Sequence, residues 1–183
     1  NRQMTVYDGD KNVIVATSES VKNALYITEF ELAAGTYYIG GDTGSNYIYQ
    51  MQVTSAVAGE PEEPETPVEP EQPEEVNHVL NVGTDITAFA KETKTDGETE
   101  VINNFFTIHY GKNSVVESNA KTFSDGFQGT QRFTLGGNAS TTKCCVEITV
   151  TEGSVVKIWW VSGGDNRQMT VYDGDKNVIV ATS

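Results

Sequence analysis

The sequence predicts an all-β fold: a two-sheet, jelly-roll-like β-sandwich module in a tandem array, with a polyproline II linker. First, the apolar residues (Val, Ile, Tyr, Phe and Trp) come in short stretches with frequent Thr, and no long segment repeats them at helical spacing. Second, turn pairs rich in Gly, Asp and Asn punctuate those stretches every few residues. Third, Asn1–Ser18 (NRQMTVYDGDKNVIVATS) recurs unchanged as Asn166–Ser183, so residue i and residue i+165 are the same.

Such an identity marks one period of a tandem array plus a short overlap. Both ends fall inside a predicted strand, which reads as a window on a longer repetitive chain. An engineered circular permutant with a duplicated competing segment is the alternative. On the array reading, residues 1–55 are the C-terminal part of one module and 56–77 an acidic Pro-rich linker. Residues 78–183 are then the N-terminal and central part of the next identical module. Joined in the natural frame, His78–Asp165 and Asn1–Ser55 make about 143 residues, enough for one buried core. On this reading the linker runs between sandwiches, and the two copies of the repeated segment have equivalent surroundings.

From His78 onward the predicted strands are His78–Val82, Ile86–Ala90, the long run Val101–Tyr110 after Asp96-Gly97, and Ser114–Glu117 after Gly111-Lys112-Asn113. Gln131–Leu135 lies between Asp125-Gly126 and Gly136-Gly137-Asn138, and Glu152-Gly153 separates Lys143–Thr151 from Val155–Ser162. Gly163-Gly164-Asp165 then leads into Arg167–Asp173, equivalent to Arg2–Asp8. Val13–Thr17, Ala24–Leu32 and Thr36–Ile39 follow, and Gly40-Gly41-Asp42 precedes Tyr47–Val53. About a dozen short strands at this spacing form two sheets, with fewer than about one residue in ten helical.

The net charge of −14 is uneven. Eight of the 26 carboxylates lie between Glu60 and Glu75 with no basic residue among them, and all five prolines (Pro61, Pro64, Pro67, Pro70 and Pro73) stand there at strict threes. That period matches polyproline II, and at about 3.1 Å per residue Glu60–Glu75 would reach roughly 50 Å. The excess of negative charge disfavours nucleic acid and anionic lipid as partners, and no apolar run approaches the roughly 20 residues of a membrane-spanning helix.

Two stretches resemble the noncatalytic, carbohydrate-binding-module-like β-sandwiches of bacterial pectate lyases and large bacterial tandem-repeat surface proteins. They are KIWWVSGGDNRQMTVYD (Lys157–Asp173) and AAGTYYIGG with SNYIYQMQV (within Ala33–Val53). FFTIHYG and KTFSDG are more weakly similar. The resemblance implies a sandwich fold and an extracellular setting. Family members that bind pectin use surface lysines against galacturonate, whereas the negative charge here argues against a polyanionic ligand.

Trp159 and Trp160 adjoin in a strand and so point to opposite faces. Val156, Ile158 and Trp160 make the apolar face, which leaves Trp159 and Lys157 outward as a carbohydrate-stacking pair, or Trp159 packed beneath a loop. Tyr37 with Ile39, and Tyr47 with Tyr49, read as core residues with hydroxyls at the rim. Cys144 and Cys145 adjoin in a strand, cannot pair with each other, and place one thiol inward and one outward; the default state is a buried or reduced pair. Asp8-Gly9-Asp10 and its copy Asp173-Gly174-Asp175 set two carboxylates on a tight turn; calcium is the alternative to a plain hairpin turn. Asn138-Ala139-Ser140 matches the glycosylation acceptor pattern. His78 and His109 sit in no triad-like arrangement, so no enzymatic activity is expected. The functional expectation is a structural repeat unit of an extracellular surface protein or filament, partnered by neighbouring copies. The alternative is a multivalent polysaccharide-binding module.

Overall fold

The computed structural model describes residues 5–7, 13–16, 21–41, 46–56, 75–151, 153–165, 167–175 and 178–182, which form strands and turns and no helix. A hairpin of β1 (Thr5–Tyr7) and β2 (Val13–Ala16) comes first. β3 (Leu25–Leu32), β4 (Gly35–Gly41) and β5 (Tyr47–Ala56) precede the acidic segment, and β6 (Glu75–Asn81) follows it. β7 (Thr99–Ile102), β8 (Phe106–His109), β9 (Val115–Thr122), β10 (Gln128–Thr134), β11 (Cys145–Val150), β12 (Ser154–Val161), β13 (Met169–Asp173) and β14 (Val178–Thr182) complete the order.

Two six-stranded antiparallel sheets pack as a β-sandwich. One has the order β3-β12-β5-β10-β9, with β6 also paired to β5; the other has the order β14-β13-β4-β11-β8-β7. β3, β4 and β5 alternate between the sheets, as do β10, β11, β12 and β13, the crossing pattern of a jelly roll. Period-two alternation puts Val156, Ile158 and Trp160 of β12 fully inside, against Ile39, Ile108, Val146 and Ile148 of the opposing sheet. Trp160 stacks on Tyr26 at 4.7 Å between centroids and donates its indole N–H to Thr28 Oγ1 at 2.9 Å, so its one polar atom is satisfied inside the core.

Strand pairing corrects the division into residues 1–55, 56–77 and 78–183. β5 lies between β12 on one edge and both β10 and β6 on the other. Strands from both sides of the acidic segment therefore build the same two sheets. The prolines lie outside the described residues, but Ala56 pairs with Glu75, so the segment leaves and re-enters at one point of one sheet. Without β6, the far half of β5 would present a row of unpaired backbone groups, and seven antiparallel pairs supply their partners.

The two copies of the repeat form the same hairpin but have different neighbours. Val6 pairs with Val15 as Val171 pairs with Val180, with the same irregularity one residue on. β13 pairs along β4 from Met169↔Gly41 to Asp173↔Tyr37, whereas β1 and β2 make a two-stranded sheet of their own. The free edge of β4 accepts one strand, so one copy joins the sheet.

The expected single strand Val101–Tyr110 is instead a hairpin. Asn103 and Asn104 both adopt positive φ (53° and 54°), and Phe105 N–H donates to the Ile102 carbonyl, closing a primed turn between β7 and β8. β5 bulges by one residue, Tyr49, opposite Trp159 and Trp160, which buries Ile48, Met51 and Val53 in the main core and turns Tyr49 to the other face.

Candidate functional site

The outer face of the first sheet carries a second apolar cluster: Tyr49, Phe123, Trp159 and Val161, flanked by Ile27, Tyr47 and Phe127. The turn between β9 and β10 folds over it. Phe127 lies 5.2 Å from the Trp159 ring, and Phe123 meets Tyr49 edge-on at 5.4 Å. Asp125, in the same turn, accepts the Trp159 indole N–H at 2.9 Å and pairs with Lys157 Nζ at 3.3 Å. Burial alone would raise the Asp125 pKa. Hydrogen bonds from the Phe127 amide, the indole and Lys157 outweigh it and hold the carboxyl below its usual range.

Trp159 therefore points outward, as the alternation predicts, yet is only 4% exposed and offers no free ring face to a sugar. Of the two sequence readings, the loop-covered tryptophan is the observed one. Lys157 sits over the same ring at 4.7 Å and is held by Asp125. The signal for this cover was KTFSDGFQG, where Phe123 and Phe127 flank a turn and can close together on one side of it. Gly129 belongs to the same design: a Cβ there would stand 2.4 Å from Tyr49 Cδ1, so the glycine lets the tyrosine ring lie flat on β10.

Burial pushes the Tyr49 pKa up to about 12, with the Glu117 and Tyr47 charges adding to the rise against a lowering by Arg132. Its hydroxyl donates to Asn119 Oδ1 at 2.8 Å. A raised phenol favours the folded state while protonated, so this contribution is complete below pH 10 and disappears as pH rises towards 12. An alkaline titration followed at 295 nm and by circular dichroism is expected to show part of the tyrosine absorbance appearing together with unfolding. Ionisation of every tyrosine near pH 10 in a folded chain would contradict this.

The outer face of the second sheet is more open. Tyr172, Tyr38, Glu147 and Thr107 form one row across β13, β4, β11 and β8. Both tyrosines are partly exposed. His109 Nε2 lies 2.6 Å from Glu147 Oε2, and Tyr38 meets the imidazole edge-on at 5.9 Å. Burial, then the Glu147 charge, raises the Tyr38 pKa. Flat rings beside a carboxylate can take the C–H face and the hydroxyls of a neutral sugar. Sequence reasoning missed this row because Tyr38 and Tyr172 are far apart in the chain and meet only through the β4–β13 pairing.

Cys144 and Cys145 are free and both buried, which corrects the expectation of one outward thiol. Cys144 precedes β11 at a φ of 56°, so it escapes strand alternation, and its sulfur occupies the space where a side chain on Gly111 would lie, 2.3 Å from that Cβ. Burial raises both thiol pKa values. Alkylation at pH 8 is expected to be at least ~100-fold slower in the folded chain than in denaturant; equal rates would refute this burial.

Asp173 Oδ1 accepts the Asp175 amide at 2.9 Å, the internal bond of a turn, while Asp8 and Asp10 lie outside the described residues. Among the described residues no three His, Cys, Asp or Glu side chains converge as metal ligands, and no helix is long and apolar enough to cross a membrane. Asn138 is exposed in its loop. No family model, curated protein or solved structure matches the chain.

Proposed function

We propose that the chain is a structural repeat unit of an extracellular tandem-repeat surface protein or filament, partnered by copies of itself. The observation that carries this reading is the eighteen-residue identity at an offset of 165, together with the identical hairpin that both copies form. The sandwich in between contains one of each strand the repeat encodes. Because the acidic segment returns to its own sheet, consecutive sandwiches would be joined through the short stretch after Thr17, equivalent to Thr182, and not through the prolines. Sequencing the coding region downstream tests the reading: Ser183 is expected to be followed by Glu-Ser-Val-Lys-Asn, as Ser18 is followed by Glu19–Asn23. An unrelated continuation would overturn it.

The row Tyr172–Tyr38–Glu147 supports a second reading, a glycan-binding face whose weak affinity would grow with copy number. A glycan microarray with Tyr38→Ala as control tests it. Binding that survives in the variant, or none at millimolar sugar, would remove this reading.

A further inference from the structure

Two identical hairpins share this chain, and the sandwich has one place for them. In the structure that place, the edge of β4, holds β13 and β14, covalently continuous with β12 through 162–168. The hairpin of β1 and β2 has the same sequence, the same strand register and the same bulge, and it stands outside both large sheets. Every backbone and side-chain interaction that Met169, Thr170, Val171, Tyr172 and Asp173 make with β4 is thus available to Met4, Thr5, Val6, Tyr7 and Asp8.

The connections permit the exchange. Asn23 N–H donates to the Ser162 carbonyl at 2.9 Å, and Lys22 N–H to Asp165 Oδ1 at 2.9 Å. The chain entering β3 therefore runs beside the chain leaving β12, at the end of the sandwich where β13 begins. A hairpin starts and finishes at one end, with its two strands about 5 Å apart. Three residues, 166–168, join Asp165 to Met169 in the observed arrangement. Four, 18–21, would join Thr17 to Lys22 in the other, across a similar distance, so the first copy can enter the same place through its C-terminal side.

We propose that the edge of β4 is an exchangeable hairpin-binding site whose ligand is a hairpin of the sequence NRQMTVYDGDKNVIVATS, filled here by β13 and β14 of the second copy and, in a second arrangement, by β1 and β2 of the first. This inference needs only the duplication within the 183 residues and stands apart from the array reading. Occupancy of the site also decides which copy supplies the tyrosine beside Tyr38, Tyr172 in one arrangement and Tyr7 in the other.

The test uses the full chain. Val171 is 1% exposed in the core, so Val171→Asp puts an unpaired charge where the second copy docks, and Val6→Asp does the same to the first. Val171→Asp alone is expected to melt within about 5 °C of the parent, because the intact first copy takes the place, and Val6→Asp alone to leave melting unchanged. The double variant is expected to melt at least about 10 °C lower. The substitution also makes the two segments distinguishable by mass, and in Val171→Asp hydrogen exchange of Asn1–Ser18 should slow by about tenfold or more. If Val171→Asp melts as low as the double variant, or Asn1–Ser18 gains no protection in it, the site is not exchangeable. A double variant that melts with the parent would show that no hairpin is needed there, and would equally overturn the proposal.

Discussion

Trp159→Ala is expected to destabilise the fold by about 3–5 kcal/mol and to leave any sugar affinity of the folded chain unchanged. The indole is almost wholly buried, its N–H is spent on Asp125, and Phe127 and the Lys157 ammonium lie against its ring. Removing it opens a cavity beneath the β9–β10 turn and leaves Asp125 short of a donor. Urea unfolding is the measurement, and a shift in midpoint at constant slope identifies a loss of stability. A variant as stable as the parent would mean that the ring is a free platform after all.

The way Trp159 departs from its expected role shows where sequence reading stops. Alternation placed Trp160 inside and Trp159 on the opposite face, because side-chain direction in a strand is local. What covers an outward residue is decided by a distant segment, here Phe123 and Phe127, and no periodicity reports that. The same holds for β5, where Tyr49 is an extra residue opposite Trp159/Trp160 and shifts the parity of YIYQMQV. The pair Asn103-Asn104 was a readable turn signal hidden within an apolar run. β9 runs on to Thr122 without apolar alternation, since Lys121 and Thr122 pair with Gly129 and Gln128 of β10 beyond an irregularity at Asn119 and Ala120. The Tyr172–Tyr38 row depends on pairing between segments well over one hundred residues apart, so this partly open aromatic face was illegible although the strands that carry its two tyrosines were predicted.

Gly136→Ala is expected to cost about 3 kcal/mol. Gly136 combines two demands: a φ of 95°, and a position where an added Cβ would lie 2.5 Å from the Ser114 backbone nitrogen and 2.7 Å from the Asn113 carbonyl carbon. Backbone atoms cannot step aside cheaply, and Ser114 is fully buried with its hydroxyl donating to the Leu135 carbonyl at 2.8 Å while accepting the Gly111 amide. Gly153→Ala is the matched control. It also sits at positive φ (72°), but nothing lies within 4 Å of its Cβ position, so it should cost about 1 kcal/mol from backbone conformation alone. The difference between the two denaturation midpoints isolates the steric part, and equal costs would show that the loop yields around the methyl group.

The pairing of Ala56 with Glu75 gives the acidic segment a mechanical character. In a string of such sandwiches under tension, load would enter each unit ahead of β3 and leave it after β14. Residues 57–74 would be bypassed while the β5–β6 ladder holds, because their two ends are fastened side by side. They amount to hidden length. Only when β5 is pulled from β12 and β10 as well as from β6 would each unit add about 60 Å of length from this segment. Extensibility would then be guarded by all the pairings of one strand, and the prolines and glutamates would set how stiff the released tether is.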